Sequence, residues 1–316
     1  MIIRRLLQVP LILLAVYAIT FALVWLIPGN PMEQGEGRRP PAEIVEAMNA
    51  QYRLDDWRAF SIDYLGKASG IHWLLGRAER PFDLGPSLRH ENWSVNEILA
   101  AGLPVSMALG AIAIVLALGI GIGAGVVAAR RPGSAMDSAA LALALIGISL
   151  PSFVVGSLLL IVFAVALRWF PVGGWGGPEH LVLPSVALAL PIAAWIARLT
   201  RTGMIEQRES LYVRAARARG LTERAIILRH VLPNALLPVL SYIGPAAAMA
   251  MTGSFVVEKV FAVPGIGTHF VDAVLSKDIT LIIGVVLTYA ALLVIFNLIV
   301  DVLYRWVDPR TALPSS

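Results

Sequence analysis

The chain has 316 residues, 58% of them apolar and 15% charged, with a mean hydropathy of +0.76. That composition excludes an ordinary soluble fold and gives length enough for several membrane spans. The lack of cysteine excludes disulfides, thiolate nucleophiles and cysteine metal sites, and a formal charge of +4 fits membrane topology better than nucleic-acid binding.

Six stretches carry no Asp, Glu, Lys, Arg or His: 9–27, 103–129, 138–167, 181–197, 234–257 and 279–300. Each approaches or exceeds the roughly 20 residues a helix needs to cross hydrocarbon, which predicts an all-α integral membrane protein with six transmembrane helices. The first follows Arg4 and Arg5 and is too long for a signal-peptide core, so it is read as a retained span. If the spans alternate, Arg4, Arg5, Arg130, Arg131, the eight arginines from Arg198 to Arg229, Arg305 and Arg310 share one side, against Arg168, Lys259 and Lys277 in the short loops opposite. The positive-inside rule then places both termini and the loop 198–232 in the cytoplasm. The expected organisation is an N-terminal span, 1–27, an extracytoplasmic insertion, 28–102, and a five-helix core, 103–316.

The insertion opens on a turn region, PGNPMEQGEGRRPP, continues as a polar helical stretch near Ala42–Gly66 and ends at RPFDLGPSL. It reads equally as a cap on the outer mouth or as a docking surface for a soluble partner. Within the spans, Gly119, Gly121, Gly123 and Gly125 interleave two small-xxx-small pairs suited to close helix packing. Pro151, Pro184, Pro191, Pro238 and Pro245 predict kinks. Ser149, Ser152, Ser185, Tyr242, Ser254, Tyr289 and Asn297 supply polar side chains for helix-to-helix hydrogen bonds or for a path.

No span carries a charge near its middle, which disfavours a proton- or ion-coupled carrier. No G-x-x-x-x-G-K-[ST] loop is present, the five histidines show no metal-ligand spacing, and no Ser/His/Asp arrangement points to a membrane enzyme. Catalytic, cofactor-binding and metal sites are therefore not expected in this chain.

The segment YVRAARARGLTERAIILRHVLP, from Tyr212 to Pro233, lies among six arginines between Arg208 and Arg229. Each would cost about 2.5–3.5 kcal/mol at a bilayer centre, so the segment must stand outside it. Gly220 is placed to end one helix in the left-handed conformation, and Thr222 to cap a second, with Leu221 and Ile226 spaced as a hydrophobic staple and Pro233 ending the run. Ala215, Ala216 and Ala218 would let the first helix enter a partner's groove while Arg214, Arg217 and Arg219 meet acidic groups at its rim. A solvated basic loop that merely fixes topology is the alternative.

This segment resembles the cytoplasmic "EAA" loop of ABC transporter permeases: Ala215, Ala216, Gly220, Leu232 and Pro233 match its spacing, with Arg214 in place of the glutamate and His230 in place of an isoleucine. The run Tyr-Val-Arg-Ala-Ala-Arg-Ala-Arg-Gly-Leu is similar to the peptide/nickel branch. So are RRLLQVPLILLAVYAITFALVWLIPGNP (with Asn30 for the usual Asp), SVNEILAAGLPVSMALG, FVVEKVFAVPGIGTHFVDAVLSKD and LIVDVLYRWVDPR. The insertion after span one is similar to that of B-type dipeptide and oligopeptide permeases. The resemblance implies an ABC type I importer permease core in a bacterial or archaeal cytoplasmic membrane. It implies as partners a C-type permease, two ATP-binding cassette subunits that hold ATP and Mg, and a solute-binding protein, with oligopeptides or dipeptides as cargo and nickel, glutathione or another small solute as alternatives. Arg214, Ala215, Ala216, Arg217, Gly220, Leu221, Thr222 and Pro233 would form the ATPase-coupling element. In the loop Val256–Asp278, Phe261, Pro264, Gly265, Gly267 and Phe270 are candidates for an outer gate, with a plain connector as the alternative.

Overall fold

A computed structural model describes residues 2–27, 49, 53–54, 56–90, 92–252 and 255–307. The turn at 28–41, the start of the helical stretch expected near 42–66, Ser254 and Arg310 lie outside the described residues. In chain order the helices are α1 (Ile2–Leu26), α2 (Trp57–Ala68), α3 (Ile71–Leu74), α4 (Val95–Arg130), α5 (Ala135–Ser149), α6 (Ser152–Leu159), α7 (Glu179–Arg208), α8 (Leu211–Ala218), α9 (Glu223–Ile226), α10 (Leu232–Ala235), α11 (Leu237–Thr252), α12 (Phe255–Val260), α13 (Ile266–Ser276) and α14 (Ile279–Val307). Two of them run on as π-helix, α6 through Leu160–Ala166 and α9 through Ile227–Val231. Among the described residues there is no strand, only an isolated antiparallel bridge between Pro86 and Ser94.

Five segments are long and apolar enough to cross a membrane: Leu7–Leu26, Val95–Arg130, Glu179–Arg208, Leu237–Val260 and Ile279–Val302. The stretch read as the third span, 138–167, forms two helices, α5 and α6 with its π-helical extension, bent by 105° at the kink expected of Pro151. The cause is Pro151, which supplies no N–H and pushes Leu150 into an extended conformation, φ −85° and ψ 127°. Pro184 and Pro191 by contrast lie inside α7, and Pro245 inside α11, without ending them.

Packing groups the chain into two compact units, Met1–Val105 with Pro264–Val294, and Ser106–Val263 with Ile295–Ser316. The core of the first contains Tyr17, Phe21, Phe60, Tyr64, Val95, Ile98, Ile266 and Leu281–Ile283. Its organising feature is an aromatic ladder between antiparallel helices: Tyr17 stacks on Tyr64 and Phe21 on Phe60, with ring centroids 5.9 and 6.0 Å apart. The Tyr17 hydroxyl donates to the Ser61 carbonyl at 2.9 Å. α2 starts at Trp57, after Asp56, whose carboxylate accepts from the Arg58 and Ala59 amides, and Asn49, earlier in the stretch expected to be helical, is helical too. Buried Asp278 caps α14, accepting from the Leu281 amide at 3.1 Å, and its other oxygen accepts from the Ser87 hydroxyl at 2.5 Å. Ser94 and Glu97 form a reciprocal capping box that starts α4.

In the second unit α7 is the central helix, and one of the two glycine pairs explains how α4 reaches it. A Cβ at Gly121 would stand 2.7 Å from the Ala193 carbonyl oxygen, and one at Gly125 would stand 2.6 Å from that of Ala197. Around Gly119 and Gly123 a Cβ would meet nothing within 4 Å among the described residues, so within this chain the close approach rests on Gly121 and Gly125. Residues of α5 and α6, with α4 and α7, line an open apolar cavity of about 550 Å³. Glu258 is fully buried and accepts a 2.7 Å hydrogen bond from Ser106, a polar link the sequence reading did not foresee.

Candidate functional site

The segment after α7 folds back onto the ends of α4 and α7 instead of hanging free. Val213 and Ala216 from α8, Ile226 from α9 and Val231 from the π-helix pack with Ala129, Met204 and Ala235. The close approach has a backbone cause: a Cβ at Gly203 would lie 2.6 Å from the Ala235 carbonyl oxygen. Spacing of three residues between Val213 and Ala216 puts both on one helical face. Leu211, Arg214, Ala215, Arg217 and Ala218 lie on the exposed side. Ala216, expected to face a partner, is thus a core residue, 5% exposed.

Gly220 ends α8 as anticipated. It has φ +75°, its amide donates to Arg217 O at 2.9 Å, and the Leu221 amide donates to Ala216 O at 3.3 Å. Together these are the two bonds of a Schellman turn, which requires a left-handed residue at the glycine position. Thr222 caps α9, its hydroxyl accepting from the Ala225 amide at 3.4 Å. The staple does not form as expected: Ile226 is buried in the apolar cluster, whereas Leu221 is exposed and stands outside it. Pro233 does not end the run either. The chain passes through it as π-helix and α10, turning only at Leu236. A proline cannot donate to residue 229 and its ring crowds that carbonyl, and a π-helical widening relieves both problems.

The arginines divide into two groups. Arg201 makes a double hydrogen bond to buried Asp137, at 2.5 and 2.7 Å, and Asp137 also accepts from the Gly133 amide at 2.8 Å. Arg208 donates to the Ala129 and Arg130 carbonyls and so caps the C-terminus of α4. Arg217 bonds Glu223 across the Gly220 turn at 2.8 Å, and that bond holds the Glu223 carboxyl below its ordinary range. These three serve the fold, and Arg217 does so in place of the partner contact expected for it. Arg214, Arg219 and Arg224 are exposed with Ala215, Ala218, Gly220 and Thr222. The outward surface is therefore a short helix, a glycine turn and a helix start, small at the centre and cationic around it. Such a surface suits a recess with an acidic rim.

The Asp137–Arg201 pair is a test of this architecture. Asp137→Ala leaves the Arg201 guanidinium without its carboxylate, and the loss should appear as a lower Tm in detergent. Restoring the pair in reversed order, Asp137→Arg with Arg201→Asp, should recover part of it.

The outer-gate candidates behave differently. Phe261 is 2% exposed in the second unit, where its carbonyl accepts from the Gly174 amide at 2.9 Å and its ring abuts Gly156. It anchors a core and does not present itself to a path. Pro264, Gly265, Gly267 and Phe270 belong to the first unit: Gly267 is buried, Phe270 packs against the first unit's apolar core, and Pro264 is exposed.

Residues 121–313 match the family described as "Binding-protein-dependent transport system inner membrane component". The chain is 40% identical over 302 residues to the dipeptide transport system permease protein DppB of Bacillus subtilis (strain 168), covering 95% of this chain and 94% of that protein. It is 43% identical over 311 residues to the oligopeptide transport system permease protein OppB of Escherichia coli (strain K12), covering 98% of each. Among solved structures, a chain of the methionine ABC transporter MetNI in an inward-facing form superposes with a TM-score of 0.53 at 20% identity, over 67% of this chain and 96% of that one. A chain of an amino acid ABC transporter crystallised with histidines superposes with a TM-score of 0.51 at 18% identity, over 67% and 94% respectively. At those identities the structural likeness speaks for the fold.

Proposed function

The chain belongs to the family of binding-protein-dependent transport system inner membrane components, and from that premise we propose that its cargo is oligopeptides or dipeptides. It is a transmembrane permease subunit of an ATP-driven importer, a transport protein and not an enzyme, and it works with ATPase and substrate-binding partners. The observation that carries the peptide assignment is near-full-length relatedness to B-type dipeptide and oligopeptide permeases.

In the proposed assembly a C-type permease completes the path and a solute-binding protein delivers peptide at the outer face. Two ATP-binding subunits, holding ATP and Mg, engage the exposed side of residues 211–224. Their closure would act through the Gly220 turn, and the apolar cluster beneath it would pass the motion to the ends of α4 and α7 as a rigid-body shift. Both termini and this segment lie on the cytoplasmic side of the inner membrane in this reading. A single cysteine at Thr222 should accordingly resist an impermeant thiol reagent in sealed cells and react after permeabilisation. Labelling in intact cells would reverse the orientation.

The decisive measurement reconstitutes the complete importer with its binding protein in vesicles. Peptide-loaded binding protein should stimulate ATP hydrolysis and drive uptake of labelled dipeptide or oligopeptide, while the permease alone hydrolyses no ATP. Stimulation and uptake with nickel or glutathione but with no peptide would overturn the cargo assignment.

A further inference from the structure

We propose that the vertex of the bend between α5 and α6, residues 149–153, lines the water-filled route through the membrane and touches the solute on its way across. The starting observation is depth. Both arms of the bend pack on α7, and two glycines fix where. A Cβ at Gly147 would stand 3.6 Å from the Leu190 carbonyl oxygen, and one at Gly156 would stand 3.6 Å from Ala187 Cβ. Ala187 and Leu190 flank the middle of the charge-free run 181–197 of α7, and the vertex also falls near the middle of its own charge-free run, 138–167. A break at that level lies deep in the hydrocarbon layer.

The second observation is an account of hydrogen bonds. Among the described residues, the main-chain carbonyls of Gly147, Ile148, Ser149 and Leu150 accept no main-chain bond, and the amides of Ser152 and Phe153 donate none. The free carbonyls of α5 point forward along its axis, and the free amides of α6 point back along its own. With the axes bent by 105°, both sets project past the vertex. Ser149, Pro151 and Phe153 are exposed there, and Ser152 is half-buried.

Unpaired main-chain groups at this depth cannot face acyl chains, because such backbone persists in a membrane only inside protein or beside water. A neighbouring helix keeps its own main chain satisfied and could answer this set only with several polar side chains, whereas water answers every group. Passage of a polar solute requires a wet lining through the same depth, and the vertex supplies one. The inside of the bend is different in kind: Leu143 and Leu158 line the open apolar cavity, a surface that holds no water. This inference rests on the transport role and not on which solute is carried.

The test uses the natural lack of cysteine. Single cysteines at Ser149 and Ser152, with references at Leu143 and Leu158 on the apolar side, are treated with a small cationic methanethiosulfonate in the complete importer in vesicles. The vertex cysteines are expected to react about tenfold faster than the references, since the charged reagent reaches only a wet surface. The face of the membrane from which it reaches them should also change, from one side at rest to the other after trapping with ATP and vanadate. Reaction no faster than at the references would overturn the proposal in favour of a dry vertex. Protection in both states, with disulfide crosslinks to the second permease, would overturn it in favour of a contact between permeases. Reaction from the same side in both states would overturn it in favour of a crevice off the route. Peptide uptake is measured separately, so failure of the cargo assignment would leave these rates unchanged.

Discussion

Replacing Gly125 by leucine is expected to abolish recovery of the folded chain from the membrane, while leucine at Gly123, two residues away, leaves it near the wild-type level. The difference follows from what each position meets. At Gly125 even a methyl group would stand 2.6 Å from a backbone oxygen of α7 and from Thr200 Cβ, and a helix backbone cannot yield locally without moving the rest of the helix. Alanine at Gly125 should already cost about 1–3 kcal/mol by overpacking. At Gly123 a Cβ meets nothing within 4 Å of this chain. Yield of monodisperse protein and Tm in detergent measure both effects. Equal recovery of the two leucine variants would mean that α4 and α7 do not cross at this glycine pair.

The second large effect is expected at Gly220, and it should be functional. A Cβ there meets no atom within 4 Å, so Gly220→Val costs only the left-handed backbone, about 1–2 kcal/mol, against a segment otherwise held by its apolar cluster. Membrane insertion should survive. The outward side of the turn should not: it carries a new branched side chain at its most exposed point and bends differently. Uptake by the reconstituted importer should fall to background, together with recovery of the ATPase subunits or the coupling of hydrolysis to cargo. Gly220→Asn, which tolerates the left-handed region, should keep most of the activity. Wild-type uptake in Gly220→Val would remove the mechanical role assigned to the turn.

Sequence patterns carried the features that depend on neighbouring residues. Apolar run lengths found five long helices, and the Gly220 and Thr222 roles followed from local backbone chemistry that no tertiary contact overrides. What stayed hidden depended on partners distant in the chain. Ala215 and Ala216 read identically until α8 packs down and buries one of them. Arg201 looked like one more topogenic charge because Asp137, 64 residues earlier, gives no local hint of pairing with it. Pro233 was read as a stop because a π-helix, the device that carries the chain through it, leaves no pattern in composition. The two glycine pairs of α4 were equivalent in sequence, and only the position of α7 separates them.

The bonds from Arg208 to Ala129 and Arg130 settle an accounting question about the bent helices α5 and α6. They bring the C-terminal ends of α4 and α7 together, so the two helices point the same way, and the chain between them must change sides of the membrane. A loop that dips in and returns cannot do that. The bent pair is therefore one traverse, made obliquely. Each arm has 15 residues, about 22 Å, and two such arms meeting at a 105° bend have a chord of about 27 Å, close to the thickness of hydrocarbon. A straight helix of the same contour would overshoot by about half. Pro151 thus fits a long segment to a thin layer by folding it sideways, and the apolar cavity lies in the angle that this fold opens.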